Sequence, residues 1–381
     1  MRILLVSNYQ PPHMGGVEFA AECLKTCWEE DGHSVTWMST DLPRGGRKPE
    51  PDNVRIRSLN FLEDWWQINS PIPCPTTIPQ IRRLVASHDV VNAHSLAPGL
   101  ATLALFLAVR QGKPVVATQH VGVIDLKWKA LGAVQKKFLC GVARWSVRRG
   151  VPLTFVGKAV REWFLEHTGL PPEALTMTPA GIDQRVYHFV TDEERKACRK
   201  RWALRDDRLN VLFVGRFYEK KGLPLLQDIA RHCPFAHFTF LGSGPVSPAG
   251  WMLPNVEVLS FVPADQLREL YGAHDLFIMP SFGEGWPAVV PQAMACGLAC
   301  LISEETFLGY GEDRERFLVR PRDLGAIVDT LEEAKAGKLA LLADRKGLSE
   351  YARAHWDWMR TARIYLKLFE GARARASRSA P

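Results

Sequence analysis

Short runs of Val, Ile, Leu and Phe alternate with amphipathic stretches from one end of this chain to the other. That alternation points to an α/β fold, with parallel sheets wrapped by helices. In the first half the strand candidates are 2–7, 34–39, 54–59, 89–94, 114–119, 152–157 and 175–180. The second half offers 210–215, 237–242, 256–261, 275–280, 298–303 and 317–320. Helices are expected at 17–31, 265–273, 287–296 and 324–336, with Gly32 as a left-handed stop to the first. A charged segment, Thr191 to Asp207, separates the two series and reads as a linker with an opening helix. With 381 residues to distribute, two cores are expected and not one, the boundary lying near residue 190.

Apolar and charged fractions of 46% and 23% are those of a globular protein. No stretch reaches the roughly 18 apolar residues of a membrane span. The opening Met1-Arg2-Ile3-Leu4-Leu5-Val6-Ser7 is too short for a signal-peptide core and reads as a buried strand. Cysteines at 23, 27, 74, 140, 198, 233, 296 and 300 form no C-x-x-C, so zinc and a disulfide frame are not expected and a cytoplasmic location is. A net charge of +7 suits phosphate-bearing ligands or an anionic membrane and does not choose between them.

In open sheets of this kind ligands bind beyond the carboxyl ends of the strands. After the strand Val211–Val214 come Gly215-Arg216-Phe217-Tyr218-Glu219-Lys220-Lys221-Gly222. Here Arg216 is placed to fork onto phosphate oxygens and Lys221 to add a point charge. The next strand ends in Gly242-Ser243-Gly244-Pro245, a G-x-G that permits close backbone approach to a ligand but lacks the third glycine of a dinucleotide fingerprint. Then follows Pro280-Ser281-Phe282-Gly283-Glu284-Gly285-Trp286-Pro287-Ala288, with Gln292 inside the following helix. Free N–H groups where that helix begins suit an anion, and the Glu284 carboxylate suits two sugar hydroxyls.

In the first half, Gly15 and Gly16 stand at a strand-to-helix turn, where amides can point at an anion. His94 and His120 each fall just past a strand. From Lys127 to Arg149 there are seven basic residues and no acid, with Trp128, Leu131, Val134, Phe138, Val142 and Trp145 at helical spacing. Such a helix fits an anionic membrane face or a core helix with a solvated basic side. Trp65 and Trp66 fall in the irregular stretch 61–79 and could form an acceptor wall.

On these residues the chain resembles the GT4 family of retaining glycosyltransferases, whose fold is GT-B, two Rossmann-like parallel-sheet domains facing across a cleft. The resemblance runs from Gly15-Gly16 to His355-Trp356. It implies that Val214-Gly215-Arg216 and Lys221-Gly222 bind a donor diphosphate, that Glu284 contacts the donor sugar, and that Gln292 stands at the ribose position where a Glu is usual. It implies that the Gly15-Gly16 loop closes over the diphosphate and that His120 lies beside the transferred sugar, with His94 nearby. Ala180, in Pro179-Ala180-Gly181-Ile182-Asp183, is a second departure, since the family usually carries Asn there.

The expected domains are 1–190 for acceptor binding, 191–355 for the nucleotide-sugar, and 356–381 as a helix returning to the N-terminal domain with a basic tail. Expected contacts are His120, Glu284, Arg216 and Lys221 at the reacting centre. Gly15, Gly16, Gly215, Gly242, Gly244, Gly285, Trp286, Pro287, Ala288 and Gln292 would lie around the donor, and His94, Trp65 and Trp66 around sugar or acceptor. No D-x-D occurs, so no metal or other cofactor is expected, and no paired carboxylates suggest double displacement. The implied activity is retaining transfer of a hexose from a UDP- or GDP-sugar to a glycan or lipid-linked acceptor in bacterial surface polysaccharide synthesis. It would take place in the cytoplasm, also at the inner membrane face, with no nucleic-acid partner. The competing readings are a nucleotide-sugar epimerase of the same fold and a non-catalytic nucleotide-sugar-binding protein.

Overall fold

Strands with no polar face belong in sheets covered on both sides. The computed structural model describes all residues except 12, 14, 43–51, 62–69, 123–128, 283, 285, 312 and 379–381, and leaves aside the side chains of 129 and 130. Its first sheet contains β1 (Arg2–Val6), β2 (Ser34–Thr40) and β3 (Asn53–Ile56). A separate antiparallel pair, β4 (Ser58–Leu59) and β5 (Ile72–Pro73), comes next. The first sheet then continues with β6 (Val90–His94), β7 (Val115–Gln119), β8 (Leu153–Phe155) and β9 (Leu175–Met177). The order is β3-β2-β1-β6-β7-β8-β9, every neighbour parallel.

A second sheet holds β10 (Leu209–Val214), β11 (Ala236–Leu241), β12 (Val256–Leu259), β13 (Leu276–Met279), β14 (Ala299–Ser303) and β15 (Leu318–Arg320). Its order is β12-β11-β10-β13-β14-β15, again all parallel. Strands β6, β7, β10, β13 and β14 are buried at every position, polar Asn92, His94, Thr118, Gln119 and Asn210 included.

The chain divides into two units, Met1–Ala180 with Trp358–Pro381, and Gly181–Asp357. The first division falls at Gly181 and not at 190, because Ile182, Tyr187 and Val190 are part of the second core. Ile182 is also pinned there by its amide, which donates to the Trp356 carbonyl at 2.9 Å. Only then does the helix Asp192–Arg201 begin, opened by a reciprocal cap in which Thr191 and Glu194 satisfy each other's amides. Its Arg195 and Arg199 converge on Asp275, just before β13.

The expected strand 54–59 is broken after Ile56. The Asp41 carboxylate takes the Ser58 amide at 2.9 Å, and Arg57 offers its carbonyl to Cys74. The chain thereby leaves the parallel sheet and pairs β4 with β5 in a stretch that reads as irregular. The expected stop at Gly32 is present, with φ of 79° after the helix Gly16–Glu30.

The last helix, Trp358–Arg378, buries Trp358, Thr361, Ala362, Tyr365, Phe369 and Ala372 along one stripe. It docks on Gly16–Glu30 through Trp28, whose indole N–H donates to the Ala362 carbonyl at 3.2 Å and whose ring lies 5.3 Å from Phe369. Among the described residues no helix is long and apolar enough to cross a membrane. Phe369 is fully buried, so Phe369→Ala is expected to remove about 3–5 kcal/mol from the first unit. Urea unfolding of the full chain measures this, and a loss under about 1 kcal/mol would contradict the docking.

Candidate functional site

In the second sheet the chain leaves β10 toward β11 and leaves β13 toward β14, on opposite sides of their shared boundary. The chain paths after β10 and β13 therefore diverge, which is where a doubly wound sheet receives ligands. The β10 loop is laced to the β11 loop: Gly215 N donates to Leu241 O at 3.0 Å and Phe217 N to Ser243 O at 2.8 Å. A Cβ at Gly242 would collide with the Gly215 carbonyl, and one at Gly244 with the Phe217 backbone. This G-x-G thus serves loop-on-loop packing, a reason different from the close ligand approach read in the sequence.

The β13 loop is fixed from two sides. Ser303 Oγ donates to Ser281 O at 2.5 Å, and Phe282 N donates to Lys220 O at 2.9 Å. That second bond brings the short turn Glu219–Lys221 beside Glu284. Lys221 Nζ lies 2.9 Å from Glu284 Oε1, with each side chain only 12% exposed. The two are at ion-pair distance, and among the described residues no donor is well aligned on the buried Oε1. Burial lowers the Lys221 pKa; the Glu284 charge opposes this, and Lys220 and Arg216 add to it. Arg216 is exposed, its guanidinium 5.3 Å from the Tyr218 ring centre.

The other expected donor contacts divide. Gly285 lies outside the described residues. Trp286 packs edge-on to Tyr310 at 5.8 Å and Trp356 at 6.3 Å, and Pro287 offers its carbonyl to Tyr310 Oη at 2.6 Å. Ala288 caps the helix Val289–Ala295, inside which the buried Gln292 accepts from Tyr271 Oη at 3.4 Å.

In the first sheet the reversal falls between β1 and β6. Gly15 caps the helix Gly16–Glu30, and among the described residues nothing beyond the helix's own backbone and the chain neighbours lies within 4 Å of where a Gly16 Cβ would be. A side chain at Gly15 would displace the carboxylate of Glu18, which is buried in the first helical turn, 3.5 Å from His13 Nδ1. Neither Glu18 nor His13 was picked out in the sequence; an acid three residues after Gly15 was the available signal.

His94 and His120 come together. His94 Nδ1 is 2.9 Å from His120 Nε2, and His94 Nε2 is 2.6 Å from Asn92 Oδ1. Burial, and then the neighbouring His120, push the His94 pKa well below its usual range, and burial lowers His120 to about 4.

Trp65, Trp66, Lys127 and Trp128 lie outside the described residues. The basic helix spans Lys129–Arg148, and its second half is core-bound. There Leu139, Val142 and Ala143 are buried, Trp145 meets Phe106 edge-on at 4.6 Å, and Arg144 Nε donates to the Thr168 carbonyl at 2.9 Å. Outward it presents Val134, Lys136 and Lys137. The eight cysteines carry free thiols.

Residues 14–186 match the family described as Glycosyltransferase Family 4, and residues 208–335 match Glycosyl transferases group 1. The chain is 25% identical to a GDP-mannose-dependent alpha-(1-6)-phosphatidylinositol monomannoside mannosyltransferase of Mycolicibacterium smegmatis, over 97% of this chain and 99% of that protein. Among solved structures it is similar to HepE of Anabaena in complex with UDP, with a TM-score of 0.75, 14% identity, and 97% and 100% of the two chains covered. Sucrose-phosphate synthase of Thermosynechococcus elongatus gives a TM-score of 0.73 at 18% identity, over 97% and 99%.

Two outcomes are expected from this geometry. Lys221→Met leaves a buried carboxylate without its counter-charge and should cost about 3 kcal/mol, most of it recovered when Glu284→Gln is added. Thermal unfolding of the two variants tests this; equal loss in the double variant contradicts the pairing. The second concerns pH. His120 is neutral when folded but takes a proton near pH 6.5 when unfolded, so its contribution is present above about 6.5 and is lost as pH falls toward about 4. The urea midpoint should therefore fall more steeply over that range in the wild type than in His120→Gln, and parallel profiles would refute it.

Proposed function

The chain is a GT4-type glycosyltransferase of GT-B fold, and on that premise we propose that it moves a hexose from a UDP- or GDP-sugar to a glycan or lipid-linked acceptor. The transfer proceeds with retention of configuration and without a metal. One observation carries this reading: Lys221 and Glu284 are brought together at the carboxyl ends of β10 and β13. A cation there can meet the diphosphate, and a carboxylate with an unaligned lone pair can meet sugar hydroxyls.

In the reaction the bond from the anomeric carbon to the phosphate oxygen breaks, and the acceptor oxygen bonds to that carbon on the same face. The acceptor proton passes to the departing phosphate. Lys221 and Arg216 stabilise the charge growing on that leaving group, in the role that a metal ion fills where a D-x-D motif is present. Amides at Gly15 and Gly16 add to this, and His120, next to His94, contacts the sugar or the acceptor. Because the leaving group is charged, Arg216→Ala is expected to lower kcat on the order of 10²-fold.

The lipid-linked acceptor is supported by the mycobacterial relative, whose name specifies a phosphatidylinositol monomannoside. Exposed Lys136 and Lys137, with exposed Val134 just before them on the same helix, suit an anionic lipid surface at the inner face of a cytoplasmic membrane. A role in bacterial surface polysaccharide assembly fits such a placement. The test is a thermal-shift screen over UDP, GDP and their sugars with and without EDTA, followed by NMR of the product's anomeric configuration. Stabilisation by one nucleotide that survives EDTA, and a product with the donor's configuration, are expected. Loss of binding in EDTA or an inverted product would overturn the reading.

A further inference from the structure

Beneath His120 runs a chain of buried polar groups whose direction can be worked out from one end. Asn92 Nδ2 lies 3.3 Å from the Val116 carbonyl and 3.3 Å from Thr118 Oγ1. A carbonyl only accepts, so the nitrogen of the amide must face Val116, and Oδ1 is left to face His94. At 2.6 Å that oxygen requires a hydrogen on His94 Nε2. A neutral His94 then has a bare Nδ1, and the 2.9 Å contact beyond it requires a hydrogen on His120 Nε2. The last free position on the path is the Nδ1 lone pair of His120.

The anchor of this path is itself braced. Thr118 Oγ1 is 2.9 Å from Thr154 Oγ1, and both lie within reach of the Tyr365 hydroxyl, at 3.0 and 3.3 Å. Thr178 Oγ1 completes the node at 3.1 Å from the same hydroxyl. The Tyr365 ring stacks 6.5 Å from His94 at 19°. All of these groups except His120 are buried, so a reversed proton order would set a bare His94 Nε2 against Asn92 Oδ1, acceptor against acceptor, in a buried setting.

We propose that Asn92 and His94 are positioning residues that, anchored on the Val116 carbonyl and the Thr118–Tyr365 node, hold His120 with its hydrogen on Nε2 and its lone pair on Nδ1. The inference rests on the reading of His120 as a sugar or acceptor contact and specifies it. A bare Nδ1 accepts from a hydroxyl and repels a phosphate oxygen, so His120 addresses a sugar or acceptor O–H and not the diphosphate.

The test is a two-bond proton–nitrogen correlation spectrum of the full chain carrying 15N-histidine, near pH 7.5, with His120→Gln and His94→Gln to assign the rings. Nitrogen shifts with hydrogen on Nε2 of both rings are expected; hydrogen on Nδ1 of His120, or a rapid mixture of both forms, overturns the proposal. In Asn92→Leu the His120 signal should become a mixture, with kcat falling about 10-fold or more and the dissociation constants for UDP or GDP hardly changed. An Asn92→Leu chain that keeps the single form and full kcat also overturns it. If that variant does not fold, the wild-type spectrum decides alone. Absence of turnover with every sugar donor would count against the glycosyl-transfer reading while leaving the ring's proton order readable.

Discussion

The reversal of strand order, once in each sheet, is the constraint from which the binding edges follow. Where β10 meets β13, and where β1 meets β6, adjacent parallel strands send their chains to opposite sides. The chain paths diverge there, and the residues that follow the strands gather at the sheet's carboxyl edge. The same constraint is given two chemistries. At the β10–β13 edge the side chains are charged; at the end of β6 and just past β7 they are neutral imidazoles.

That difference follows from how each edge is surrounded. Lys221 and Glu284 are nearly covered, and neither charge could be held there alone without a large desolvation cost. Each makes the other's burial tolerable, and the tie between Lys220 O and Phe282 N fixes their separation through the backbone. In the proposed donor contacts, a diphosphate and a hexose hydroxyl would offer each partner a replacement for the other. Little reorganisation is then needed when the pair is opened. Buried His94 and half-buried His120 have no carboxylate beside them among the described residues, and desolvation keeps both rings neutral. A neutral ring still has a direction, and there the hydrogen-bond order sets it.

The parallel sheets were legible because strands covered on both sides need no polar face, so β13 shows as a plain apolar run and β10 as one broken only by Asn210. The β4–β5 pair was not, because two-residue strands carry no period and their placement hangs on the Asp41 carboxylate. Arg216, Lys221 and Glu284 could be picked out as charged residues directly past strands, whereas the pairing of Lys221 with Glu284 depends on a backbone bond between two loops. Gly242 and Gly244 were visible as glycines, but the sequence alone cannot tell a backbone approaching a ligand from one approaching another loop. Asn92 and Tyr365 were out of reach altogether. Tyr365 joins its node from 247 residues beyond Thr118, and an Asn inside a buried strand reads as an oddity until its partners are known.

Tyr365 also gives the C-terminal helix a reason beyond surface coverage. The chain leaves the first unit at Ala180 and re-enters it at Trp358, so the helix is a late addition to a sheet already complete in its strands. An apolar stripe alone would tolerate many rotations of that helix against its neighbours. Its tyrosine does not, because a buried hydroxyl must find partners, and the three threonines supplied by β7, β8 and the segment after β9 converge at one point. Trp28, bonded to the Ala362 carbonyl one turn earlier, sets the translation, and the threonine node sets the rotation. The polar groups that orient His94 are thereby closed off from water by the helix that returns to the first unit.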